Sequence, residues 1–294
     1  MPVGPLPVGP VPVGPVPVGP VPVAFPDVPA RLVTSRDGTP IAVFTIGSGP
    51  PLVLVHGTTA DHLTWRVSGP LLAERWTVHA IDRRGRGASG DPASYAIERE
   101  FEDVAAVTET LAHESGAPVP VVGHSLGGRI ALGAAGLTGS ISRLVVYEGA
   151  PASPGEPYES PDLAHRLRGL VDRGRPDEAL ATFMREVVRM PPEDLEGFRS
   201  DPVWPLRVAA AHTIPRELDA AASPAASLET LAGISIPVLQ VLGGASAPTF
   251  RSAVGALDDR LADGRVVIIE GARHAAHHTH AQAFVGAVEA FLRG

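Results

Sequence analysis

Residues 119–133 read Val119-Pro120-Val121-Val122-Gly123-His124-Ser125-Leu126-Gly127-Gly128-Arg129-Ile130-Ala131-Leu132-Gly133. Val119–Val122 is a short apolar strand, the Ala-, Leu- and Gly-rich stretch 129–137 is a buried helix, and the turn between them carries a serine. A strand handing directly to a helix through G-x-S-x-G puts that serine on a strained corner, and small residues two before and two after it relieve the clash of strand against helix. The corner projects Ser125 Oγ from the carboxyl edge of a sheet, where open α/β folds bind their ligands. A serine capping a helix in a Gly-rich turn uses the same residue types more simply. The rest of the chain decides between the two readings.

Outward from this corner, short β-branched runs alternate with longer helical patterns, which predicts an α/β fold with a mainly parallel sheet. Arg31–Ser35 and Ile41–Ile46 flank the turn Arg36-Asp37-Gly38-Thr39-Pro40 as a hairpin. Pro51–Val55 ends at His56-Gly57, a helical stretch runs from Asp61 to Glu74, and Trp76–Ile81 ends at Asp82. Between Glu98 and about Glu114, Phe101, Val104, Ala105, Thr108 and Leu111 recur at helical spacing and mark a core face. Arg143–Tyr147 is a further strand, ending at Glu148-Gly149. Residues 151–228 then break the rhythm with helical patterns alone, at 161–173, 176–189, 193–199 and 203–212, and read as an inserted lid. The rhythm returns with Pro237–Leu242, a helix near 249–262, Arg265–Glu270 and a last helix from 281 to Leu292.

With 294 residues, 44% of them hydrophobic, the chain can bury a core of ordinary size without disulfides or a structural metal. The absence of cysteine removes any thiolate nucleophile and any Cys-ligated metal. Net charge −8, from 32 acidic against 24 basic residues, argues against nucleic acid, whose binding draws on clustered Lys and Arg. Residues 1–26 hold ten of the 31 prolines in a P-V-G-P-V/L period without charge. Proline at that density forbids the apolar helix of a signal peptide and predicts an extended segment outside the sheet, either a spacer or a ligand for an aromatic groove, or a mere extension without function. No stretch reads as a membrane span, so the expected compartment is the cytoplasm. The domain organisation expected is a tail 1–26, a core in two parts at 27–150 and 229–294, and a lid at 151–228.

A serine hydroxyl becomes nucleophilic only when a base within hydrogen-bond reach takes its proton. Of eleven histidines, His79 alternates within a strand, His113 ends a helix, and His124 flanks the nucleophile as a packing residue. The crowded His274, His277, His278 and His280 could suggest a metal, but no Cys and only the strand-end Glu270 accompany them. No metal or cofactor is expected. His274 instead follows the last strand within Gly271-Ala272-Arg273-His274, at the ligand-binding edge, and is the candidate base. An oxyanion needs two preorganised amides. Leu126 N–H, at the head of the helix after the nucleophile, is one candidate; Thr58, in the loop after Pro51–Val55, is the other.

Taken together, His56-Gly57, Asp82-Arg83-Arg84-Gly85-Arg86-Gly87-x-Ser89, the Gly123–Gly128 turn and Gly271-x-x-His274 resemble the α/β-hydrolase superfamily in order and spacing. The resemblance covers residues 28–294. It implies an α/β-hydrolase fold, an eight-stranded mostly parallel sheet with a lid after the sixth strand, and a triad in the order Ser, acid, His. Ser125 and His274 match its nucleophile and base, and Thr58 and Leu126 its oxyanion donors. The seventh strand ends Leu242-Gly243-Gly244-Ala245-Ser246-Ala247-Pro248, without the Asp most common there. Some members carry the acid after the sixth strand, which points to Glu148; Asp258 and Asp259 lie a helix away from strand seven. A triad needs such an acid to orient and stabilise the imidazole.

Serine rather than aspartate at position 125 turns the resemblance away from dehalogenases and epoxide hydrolases and toward acyl chemistry. Lid residues Phe183, Met184, Met190, Phe198 and Trp204, with Thr59 and Trp65 before the fourth strand, could line an apolar substrate pocket; packing within the lid is the alternative, and for the lid residues and Trp65 the favoured one. The expected activity is hydrolysis of a carboxylic ester or lactone of a small molecule through an acyl-enzyme. Thioester, C–C bond and perhydrolysis chemistry use the same triad, and a non-catalytic ligand-binding protein uses the same fold. The oligomeric state is open.

Overall fold

A computed structural model describes residues 24–294. Eight strands form one sheet: β1 (Arg31–Thr34), β2 (Pro40–Ile46), β3 (Pro51–Val55), β4 (Thr77–Ile81), β5 (Val119–His124), β6 (Ile141–Tyr147), β7 (Val238–Gly243) and β8 (Gly264–Ile269). Their order is β1-β2-β4-β3-β5-β6-β7-β8, antiparallel from β1 through β2 to β4 and parallel elsewhere. This is the α/β-hydrolase fold expected from the sequence.

The central strands are continuous apolar runs because both of their faces are covered. Val53 and Val55 of β3 face one core with Val121 and Val146, while Leu52 and Leu54 face the other with Val122, Val145 and Tyr147. The first core is closed by α2 (Ile97–Ser115) and α3 (Leu126–Ala135) through Phe101, Val104, Ile130 and Leu132, and by Phe250 and Leu257 of α10 (Pro248–Asp258). The second is closed by α1 (Ser68–Leu72) and α12 (Ala281–Arg293), with Trp65, Leu72, Phe284 and Phe291. The helix expected over 61–74 is two pieces, a 3-10 turn His62–Trp65 and α1. Pro70 has no amide to continue the ladder between them.

Between β6 and β7 the chain forms a helical insert: α4 (Leu163–Asp172), α5 (Pro176–Glu186), α6 (Pro192–Arg199), α7 (Trp204–Ala209), α8 (Ile214–Ala221) and α9 (Leu228–Leu231). Its own small core holds Leu167, Leu180, Phe183, Trp204 and Ile214. Helix α8 falls where the sequence showed no pattern, because Pro215 reads as a breaker although it sits in the first turn, where proline is tolerated.

The repeats up to residue 23 lie outside the described residues. The expected tail boundary at residue 26 is too late by at least two residues: Phe25 is 7% exposed, packs on Gly69, and meets His62 edge-on at 6.0 Å. An aromatic ring there belongs to the core.

Candidate active site

Parallel register brings the site to one edge. Val55 pairs with Gly123, His124 with Tyr147, Tyr147 with Val241, and Gly243 with Ile269. The segments leaving these strands, carrying Thr58, Ser125, Glu148 and His274, therefore meet at the carboxyl ends.

Ser125 has φ 54° and ψ −128° between β5 and α3. The space around that corner excludes larger neighbours: a Cβ on Gly123 would lie 2.5 Å from Gly128 Cα, and one on Gly127 would lie 2.3 Å from His56 O. Thr59 (φ 61°), Glu148 (φ 46°) and Arg189 (φ 57°) are the other non-glycine residues with positive φ among those described. Such conformations cost on the order of 1–3 kcal/mol each and persist only where surrounding structure holds them. At Ser125 the hold includes its own N–H on Tyr147 O at 2.8 Å; at Glu148 it is the N–H on Val241 O at 3.1 Å.

Glu148 and His274 are joined: His274 Nδ1 lies 2.6 Å from Glu148 Oε2. The second oxygen, Oε1, accepts the Gly243 N–H at 2.8 Å, so the buried carboxylate has both oxygens engaged. Phe250 stacks on the His274 ring at 4.7 Å between centroids. His124 Nε2 bonds His274 O at 2.8 Å, and Tyr147 donates its hydroxyl to Arg273 O, so the imidazole is fixed from its backbone as well. Burial pushes His124 well below its ordinary pKa, and the neighbouring His274 adds to the effect; the ring is neutral. Ser125 Oγ makes no hydrogen bond to His274 among the described residues, and such bonds commonly tighten only around a substrate.

Ser125 and His274 open onto two cavities. The smaller, ≈ 390 Å³, is also lined by Leu126, Arg129, Tyr158, Leu218 and Phe250. The larger, ≈ 600 Å³, is lined by Met184, Met190, Phe198, Arg207 and His277 among others. Thr58, Phe183 and Val188 border both. Three expected pocket residues lie elsewhere. Trp65 is fully buried in the second core against His277 and Phe284. Trp204 is spent inside the insert, donating Nε1–H to Asp177 at 2.7 Å. Thr59 is 2% exposed and borders neither cavity. For the two indoles, large apolar area is worth more in a core than at a wall. The expected set also lacked Arg129, Val188, Leu218 and Phe250, which reach the cavities from α3, the turn after α5, α8 and α10.

The Asp82-Arg83-Arg84-Gly85-Arg86 loop carries a buried ionic cage. Arg83 donates to Glu100 and to Glu217 of α8, Arg86 donates to the same Glu217 oxygen at 2.5 Å, and Arg84 pairs with Asp103 and Asp37. Glu217 is thereby held as a carboxylate below its ordinary range despite burial, and the insert is tied to the β4 edge. Among the described residues no three His, Asp or Glu side chains group as metal ligands, and no helix is long and apolar enough to cross a membrane.

Comparison with known proteins agrees with this fold. The alpha/beta hydrolase family model matches residues 52–287. The chain belongs to that family. It is 30% identical over 254 residues to pimeloyl-[acyl-carrier protein] methyl ester esterase of Neisseria meningitidis serogroup B, covering 82% of this chain and 92% of that protein. An alpha/beta hydrolase from Sphaerobacter thermophilus superposes with TM-score 0.76 at 37% identity, over 88% of this chain and all of that one. Probable oxidoreductase EphD of Mycobacterium tuberculosis is 41% identical over 103 residues, which span 33% of this chain but only 17% of that protein.

Proposed function

We propose that this protein is a serine hydrolase that cleaves a carboxylic ester or lactone of a small, largely apolar molecule through an acyl-enzyme. The observation that carries the reading is the 2.6 Å contact of His274 with Glu148 at the mouth of the cavities that Ser125 shares. The methyl ester esterase among its relatives supports the ester as substrate class.

In this mechanism Ser125 Oγ attacks the carbonyl carbon while His274 Nε2 takes its proton. Glu148 keeps the Nδ1 proton in place and stabilises the imidazolium. The Leu126 and Thr58 N–H groups receive the oxyanion, the first aided by the head of α3. Collapse of the tetrahedral intermediate expels the alkoxide, which takes the proton from His274. Water, deprotonated by the same imidazole, then releases the acid and restores Ser125. The helical insert serves as the lid, and its apolar residues Phe183, Met184 and Val188 give the substrate a dry wall.

The test is turnover of p-nitrophenyl esters of graded acyl length, beside lactones and thioesters, by the wild type and Ser125→Ala. Ester or lactone cleavage that is lost in the variant supports the reading. Cleavage of thioesters alone, or equal activity in Ser125→Ala, overturns it.

A further inference from the structure

Arg129 follows Ser125 by one helical turn, its backbone N–H on Ser125 O at 3.3 Å, and its side chain lines the smaller cavity with Ser125 and His274. A guanidinium offers five N–H donors in a planar fork. Among the described residues one is used, from Nη2 to Ala150 O at 3.1 Å, and Nε is buried without a partner there. The Tyr158 ring lies 5.8 Å from the guanidinium carbon, and its hydroxyl donates to the same Ala150 O at 3.0 Å. No carboxylate lies within 4 Å of Arg129 among the described residues.

The acidic side chains of the cavity are committed or idle. Glu148 serves His274 and Gly243, Glu217 serves Arg83 and Arg86, and Glu229 is exposed. Glu159 makes no hydrogen bond among the described residues; burial holds its carboxyl above the usual range, and the Arg129 charge, more than 4 Å away, acts on it in the opposite sense. Arg83, Arg84 and Arg86 are fully buried and every one of them is ion-paired, whereas Arg129 is half-buried and is not. Arg207, in the larger cavity, spends two donors on Thr58 O and Thr64 Oγ1. Leaving the buried Nε–H of a half-buried guanidinium without a partner is costly, and desolvation lowers the Arg129 pKa against the smaller raising effects of Tyr158 and Glu159. A ligand carboxylate would supply the direct hydrogen-bonded partner that no side chain gives Arg129 among the described residues.

We propose that Arg129 is a carboxylate-binding subsite, and that the ester or lactone cleaved at Ser125 carries a free carboxylate on its acyl portion. This rests on the ester-hydrolase reading above and names its substrate class. Phe183, Val187, Val188, Leu218 and Phe250 line the same cavity as Ser125 and Arg129, and this apolar lining suits a short aliphatic chain. A planar guanidinium fork matches a carboxylate in two parallel hydrogen bonds.

The test compares kcat/KM for monomethyl glutarate and monomethyl adipate with methyl pentanoate and methyl hexanoate, by proton NMR, in wild type, Arg129→Met and Arg129→Lys. The wild type is expected to favour the hemi-esters by about tenfold or more, as buried polar recognition does elsewhere. Arg129→Met brings the ratio to about one or below, and Arg129→Lys keeps part of it. In parallel, glutarate raises the melting temperature of Ser125→Ala but not of Ser125→Ala/Arg129→Met. Neutral esters turned over without preference for the charged ones, or a ratio unchanged in Arg129→Met, overturns the subsite and leaves the hydrolase reading standing. Arg129-dependent glutarate binding without turnover of any ester upholds the subsite and sinks the hydrolase reading.

Discussion

Glu148 and His274 stand 126 positions apart in the chain and 2.6 Å apart in space, with the Gly243 amide bracing the far oxygen of the carboxylate. The bracing amide belongs to the end of β7, where the sequence Gly243-Gly244 offers no acid of its own. The carboxylate is supplied from the end of β6 and is held there by the last residue of β7.

Replacing Glu148 by Gln keeps an oxygen for the Gly243 amide but removes the charge beside His274. Turnover is expected to fall about 10²-fold or more with the fold intact, as loss of a triad acid does elsewhere. The check is kcat on the best ester substrate together with the circular dichroism spectrum. Near-normal kcat would assign the acid to another residue.

Glu217 takes hydrogen bonds from both Arg83 and Arg86 inside the protein. Its replacement by Leu leaves two buried guanidinium groups short of a counter-charge, Arg86 more than Arg83, which retains Glu100. A loss of about 3 kcal/mol is expected in urea unfolding. An unchanged midpoint would mean that the cage does not fasten the insert to the core.

The outline of the fold was legible because each central strand is apolar on both faces and each ends in a turn rich in small residues. The Ser125 corner was legible for a local reason, since its glycines are contacts of the turn itself. What the sequence hid is long-range. Nothing local distinguishes Glu217 from an exposed helical glutamate, and its role depends on two arginines more than 130 positions earlier. Trp65 and Trp204 took the packing role rather than the pocket role, a choice the sequence leaves open because an indole near a cleft has the same composition signal whether it faces the cleft or the core behind it. Arg129 was passed over because a single arginine in an apolar helix shows nothing of its missing partner.

Burial holds His56, His124 and His277 well below the ordinary imidazole pKa. The folded state keeps them neutral, whereas the unfolded chain protonates them below about pH 6.5. The unfolded state therefore binds more protons there, and stability falls as pH drops, each group contributing at most about 1.4 kcal/mol per pH unit. The melting temperature is expected to decline from pH 7 to pH 5, before most carboxylates titrate. His277→Gln should make that decline shallower; a flat profile in the wild type would contradict the burial argument.

Phe25 packs against Gly69 and His62. A chain that begins at residue 24 should therefore melt above one that begins at residue 27, and Phe25→Ala should cost about 3 kcal/mol. Equal melting of the two truncations would show that the ring contributes nothing to the core.

The most direct test of the whole account is covalent labelling of the folded protein with a fluorophosphonate, read by peptide mass spectrometry. The account predicts a single adduct on Ser125, abolished in Ser125→Ala and strongly slowed in His274→Ala. A folded protein that stays unlabelled, or one labelled at another residue and equally so in Ser125→Ala, would contradict it.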